Sequence, residues 1–264
     1  MKPTLKAEFK KILTVRSTYV ISLLFLLLTC FLAFYIQGFK NAGEIQAMNP
    51  VAKLFVAGTI TQIANTISVA GGLIALLLLA HEYRYNTIVY TLTASKSRSK
   101  VLASKIIAIL AYVFVFSVIG SALALGLVWA GVAASGHVLP HQDINYLTFL
   151  AKSVFMAEAY AMAGLVFITL IRNQIGAIAA LFILPNTVEG LLSLLLKKNS
   201  VYMPFTGLQQ VVQPPVVNGI AAAHKARDIA TGYISAPRGA LVFLVYLVVA
   251  WLVAWYLFLR RDAN

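Results

Sequence analysis

Six apolar stretches dominate this chain: Ser17–Gln37, Phe55–Ala80, Lys105–Ala134, Leu147–Ile171, Ile175–Leu196 and Gly239–Leu259. Each meets or approaches the length of about 20 residues that a helix needs to cross a bilayer. A backbone at that depth has no water to bond, so the segments must be helical or closed into a barrel. Stretches this long and this uniformly apolar favour helices. Only 11% of the residues are charged and mean hydropathy is +0.86, whereas a soluble domain carries about 25% charge. The expectation is one all-α transmembrane domain over residues 1–264, with six spans.

The charge pattern orients the spans. The formal net charge is +13, which by itself is compatible with nucleic-acid binding. The cations, however, flank the apolar runs, as the positive-inside rule requires, and they sit where anionic lipid heads lie. No nucleic-acid partner is expected; membrane lipid is. Lys2, Lys6, Lys10, Lys11 and Arg16 precede the first run. Arg84, Lys96, Arg98, Lys100 and Lys105 fall between the second and third, Arg172 between the fourth and fifth, and Arg260 and Arg261 after the sixth. Both termini are therefore expected in the cytoplasm of a multi-pass protein of the cell membrane.

Two flanking segments have their own pattern. In residues 1–16, Leu5, Phe9, Ile12 and Leu13 recur at helical spacing, with Lys2, Lys6 and Lys10 elsewhere on the wheel. That pattern predicts an amphipathic helix in the cytoplasmic interface rather than a disordered basic tail. Residues 197–238 contain Pro204, Pro214, Pro215 and Pro237 between short apolar patches. They are expected to form extracytoplasmic interfacial or re-entrant helices.

Chemistry-bearing motifs are few. The chain has no P-loop, no H-E-x-x-H, no nucleophile elbow, and one cysteine, Cys30. His137 and His141 flank Pro140 with no third ligand nearby. No enzyme activity, catalytic residue, metal site or bound cofactor is predicted. Ionisable groups within spans are costly and are therefore candidates for function. Glu158 and Glu189 are such groups, and Thr59, Gln62 and Thr66 form a polar stripe in the second run. These five residues either line a pathway and meet its cargo or bond helices together. Gly71-Gly72 is expected to permit close helix approach.

Residues 81–104 interrupt the apolar pattern, and Lys105 closes the interruption. The order EYR (82–84), TI (87–88), TL (91–92), Ala94, Arg98, VL (101–102) and Lys105 resembles the cytoplasmic loop of ABC transporter permeases of the type-2 exporter family, such as those that export drugs and antibiotics. AEFKKILTVRSTYV (Ala7–Val20) resembles that family's amphipathic start, and Leu259-Arg260-Arg261-Asp262 its close. Two positions depart from the family: Asn86 stands where Gly is usual, and Ala94 where Pro is frequent.

The resemblance implies that residues 81–104 form a coupling helix in a groove of a separate ATPase subunit, which would carry ATP and Mg. It implies that Glu82, Arg84, Thr87, Ile88, Tyr90, Thr91, Leu92, Arg98 and Lys105 take part in docking. Glu82 also has the option of bonding to the N-terminal helix or to a nearby Arg. A second permease copy, or a related one, would complete the pathway. Two other readings remain open at this level: an ion-coupled carrier using Glu158 and Glu189, and a non-transporting membrane anchor in a larger complex.

Overall fold

The computed structural model describes residues 2–40, 52–85, 87, 90, 97–136, 145–212 and 234–260, apart from the side chains of 2, 3, 17, 52–60 and 98. The described chain is all α-helical, and six of its helical stretches are long and apolar enough to cross a membrane. In chain order the α-helices are α1 (Lys2–Thr14), α2 (Arg16–Phe31), α3 (Ala52–Arg84), α4 (Arg98–Ala134), α5 (Tyr146–Ile171), α6 (Gln174–Ile183), α7 (Glu189–Leu196), α8 (Pro204–Gln209) and α9 (Ala236–Arg260). A π-helix, Leu32–Lys40, continues α2. Another, Leu184–Val188, joins α6 to α7, and a 3-10 turn, Lys197–Tyr202, follows α7.

The N-terminal amphipathic helix is present and is separate from the first span. Extended backbone at Val15 divides α1 from α2. Glu8 and Ile12 face inward, while Lys6 and Lys10 are exposed. The first span runs past its expected end at Gln37 to Lys40 by widening into the π-helix. There Phe31, Tyr35 and Phe39 stack nearly parallel, with ring centroids 5.6 and 6.2 Å apart. A π turn, closed from i to i+5, brings residues four apart close to eclipsed. Gly38 meets α4 in this stretch: a Cβ on it would lie 2.6 Å from the Val128 carbonyl oxygen.

Helices α3 and α5 form the centre. Of their spanning windows, 72% and 61% are buried, against 17% for the first, fifth and sixth spans. Small residues explain the difference. A Cβ on Gly164 would lie 2.6 Å from the Gly72 carbonyl oxygen, and one on Gly71 would lie 3.2 Å from that of Ala157. Lipid tails are as apolar as leucine, so close backbone packing rather than the hydrophobic effect holds such helices together. The expected role of Gly71-Gly72 holds.

Helix α4 corrects the loop's boundaries. It begins at Arg98 rather than 105, and α3 continues to Arg84 rather than 80. Residues 81–84 and 98–104 are therefore helical stem, leaving 85–97 between the two helices. At about 1.5 Å per residue, α4 is about 55 Å long, well beyond the hydrocarbon thickness of about 30 Å. A helix of that length is too long to lie wholly within the hydrocarbon core.

The fifth span passes through a π-helix, Leu184–Val188, at Pro185, which cannot donate the usual i to i−4 bond. Asn186 Nδ2 donates to the Phe182 carbonyl (2.9 Å) within the π turn. Beyond α7 the described part of residues 197–238 folds back onto the bundle rather than forming a separate domain. Phe205 of α8 packs between Tyr160 of α5 and Phe243 of α9, at centroid distances of 5.3 and 5.8 Å. Thr61 Oγ1 donates to the Val212 carbonyl (3.2 Å). Residues 213–233 lie outside the described part.

Several contacts gather at one end of the bundle. Helix α1 is ion-paired there to α3 and α4. Arg172, just after α5, lies over the Tyr83 ring at 6.0 Å. Leu102 of α4 packs with Phe258 of α9. The first and last described helices thus share the end from which residues 85–97 emerge.

Candidate functional site

Four charged groups close the base of the 85–97 segment. Lys105, two turns into α4, places Nζ 2.7 Å from Glu8 Oε1 and 2.7 Å from both oxygens of Glu82. Lys11 Nζ donates to Glu82 Oε1 from the α1 side. Glu8, Glu82 and Lys105 are buried, Lys105 almost completely (1% exposed). Two carboxylates and two ammonium groups make the cluster formally neutral. That balance matters because a buried charge is tolerated only when paired and hydrogen-bonded. Glu8 and Lys11 are three apart on α1, so both reach the same side of the helix. The cluster ties α1, the end of α3 and the start of α4 into one unit.

This geometry divides the predicted docking residues. Glu82 and Lys105 are internal, which corrects their assignment to a docking surface; their charges are consumed within the chain. Glu82 does reach the N-terminal helix, at Lys11. Arg84 lies two residues on, about 200° around the helix, and is exposed. It stacks at 5.6 Å on the exposed ring of Tyr85. Tyr90 is 74% exposed and Thr87 partly so. Ile88, Thr91, Leu92 and the Arg98 side chain lie outside the described residues.

The membrane candidates divide as well. Glu189 is buried and bound, not open to a pathway. Its Oε1 accepts from the Phe205 amide (2.9 Å), and its Oε2 accepts from the Thr206 amide and hydroxyl (2.7 Å each). The reason lies in α8, which starts at Pro204 after Met203, a residue with no capping oxygen. Its first amides need an acceptor from elsewhere, and a carboxylate also suits the positive end of the helix dipole. Thr66 Oγ1 donates back to the Gln62 carbonyl (2.9 Å) of its own helix, while the Gln62 side chain is exposed. The Thr59 side chain lies outside the described residues. Glu158 Oε1 is shielded from solvent and has no hydrogen-bond partner, whereas Glu8 and Glu82 are ion-paired and Glu189 accepts from the α8 amides.

Sequence reasoning did not single out Glu8 or Lys11 as site residues. The available signal was scarcity: the chain has only eight acidic residues against 21 Lys and Arg, and Glu8 and Glu82 are two of them. The pairing itself spans 97 residues from Glu8 to Lys105 and has no local signature.

Residues 65–263, about three quarters of the chain, match a family described as Protein of unknown function (DUF2705), and the chain belongs to that family. No curated protein matches it.

Proposed function

We propose that this DUF2705-family protein is the membrane-spanning permease subunit of an ATP-driven ABC exporter. In this reading it has both termini in the cytoplasm of a cell-membrane protein. A separate ATPase subunit binds ATP and Mg and docks on residues 85–97. The chain pairs with a second copy or a related permease to form the pathway.

The observation that carries the reading is the ion-paired base beneath the 85–97 segment. A docked segment transmits motion only if its displacement moves the spans, and a partner shifts an equilibrium only by distinguishing its states. Glu82 and Lys105 join the two stems of the segment to each other, and Glu8 and Lys11 join them to α1. Force applied to the segment would therefore move α3, α4 and α1 together. Since α3 is also the most buried span, its displacement would repack the bundle. Tyr85, Tyr90 and Arg84 stand exposed beyond the base, and aromatic and arginine side chains are favoured interface anchors. The carrier alternative relied on two intramembrane carboxylates, and one of them, Glu189, is occupied by α8 amides.

The test is purification of the tagged chain from its native membrane, together with the products of neighbouring reading frames. Recovery of a P-loop ATPase, and its release by Tyr90→Glu, supports the reading. Transport in vesicles that follows an ion gradient with no ATPase present overturns it.

A further inference from the structure

We propose that the face of α5 carrying Phe155, Glu158 and Met162 is a binding site for lipophilic organic cations within the transport pathway. The proposal deepens the permease reading and rests on it for the word pathway.

Glu158 stands at the middle of α5, between Tyr146 and Ile171. At about 1.5 Å per residue it is about 18 Å from either end. A glutamate side chain cannot extend that far to reach water. A carboxylate at the bilayer centre is costly, and such groups face a bundle interior or cavity rather than lipid. Among the four described carboxylates, Glu8, Glu82 and Glu189 have donors from this chain, but Glu158 Oε1 has none. The nearest cation in sequence, Lys152, is six residues away and on roughly the opposite side of the helix.

The surroundings narrow the ligand class. Met156, Ala157, Ala159, Tyr160 and Ala161 are buried against the bundle, whereas Ala151 is exposed and Phe155, Glu158 and Met162 are only half-buried. Positions 151, 155, 158 and 162 fall on one stripe at helical spacing, so the carboxylate is on the side of α5 that the chain covers least. Phe155 and Met162 are partly buried against the core; an aromatic ring and a thioether are side chains that suit a lipophilic cation. A second copy packed isologously through this stripe would bring carboxylate to carboxylate and supply no donor. A positively charged, apolar cargo supplies both the missing charge and surface for the neighbouring side chains.

The experiment measures equilibrium binding of tetraphenylphosphonium to the full chain in lipid nanodiscs without nucleotide. Uncharged triphenylphosphine oxide is the comparison. The expected result is saturable binding of the cation alone, weakened about tenfold or more by Glu158→Gln and several-fold by Met162→Ala. Lys152→Gln should leave it unchanged. Melting curves of each variant establish that it is folded, and the near-isosteric Gln replacement is expected to melt no lower than the parent. Equal binding by Glu158→Gln, or equal binding of the neutral probe, overturns the site. Complete disulfide linkage between copies through Glu158→Cys, on a Cys30→Ser background, also overturns it by making the stripe an interface. Because the assay uses no ATPase, its failure is separate from a failure to recover an ATPase partner.

Discussion

Glu82 and Lys105 meet at 2.7 Å across the base of the 85–97 segment, although they are 23 residues apart and belong to two different helices. Each is also held by α1, through Lys11 and Glu8 respectively. The N-terminal helix is thereby part of the loop's foundation, not an independent membrane anchor.

Lys105→Met should be among the most damaging single substitutions in the chain. It leaves Glu8 and Glu82 with one partly exposed cation between them. Breaking a buried pair in this way costs about 3–5 kcal/mol. Thermal unfolding in detergent reads the loss. The triple variant Glu8→Gln, Glu82→Gln, Lys105→Met should recover much of it, because no buried charge remains and the unpaired Lys11 is partly exposed to solvent. A triple variant no more stable than Lys105→Met would show that the cluster's charge balance is not what holds it.

The surface beyond the base should behave differently. Tyr90→Glu should leave the melting temperature within a degree or two, since surface changes usually lie within about 0.5 kcal/mol. Under the proposed function it should reduce ATPase recovery at least tenfold in co-purification. Comparable retention by the variant and the parent would remove Tyr90 from the docking surface.

Glu189→Ala is predicted to destabilise the packing of α8 against the bundle by about 2–3 kcal/mol. It abandons two amides and a hydroxyl that now bond to a charged acceptor. Thr206→Ala, which removes only the hydroxyl, should cost about 1 kcal/mol. Hydrogen exchange at the Phe205 and Thr206 amides offers a local check: protection should fall in Glu189→Ala and persist in Thr206→Ala.

The glycines of the α3–α5 contact should not tolerate alanine. A Cβ at Gly164 would stand 2.6 Å from a backbone oxygen that cannot rotate away, so Gly164→Ala should cost about 1–3 kcal/mol. Gly126→Ala is the matched control. Nothing lies within 4 Å of its added methyl, and helix propensity favours alanine by up to about 1 kcal/mol. Melting temperatures of the two variants should move in opposite directions.

Much of the architecture was written in local pattern. Length and hydropathy of the apolar runs specified six spans, and i, i+3, i+4 spacing specified α1, because a bilayer leaves a buried backbone few alternatives to helix. The roles of particular side chains depended on which helices came together. Residues 81–84 and 98–104 read as loop because their polarity interrupts the apolar runs, yet they are the stems of α3 and α4. Once helical, Glu82 and Arg84 point to opposite sides, which separates an internal ion pair from an exposed cation. Glu158 and Glu189 looked equivalent as carboxylates within apolar runs. Only the return of α8 beneath α7 showed that Glu189 is a cap, while α5 carries Glu158 on its least covered stripe. Sequence alone determined that the chain carries six stretches long and apolar enough to cross a membrane, and the described residues bear six such helices. Tertiary structure alone decided which charges are neutralised inside it, because a salt bridge depends on distance in space and carries no trace in the order of residues.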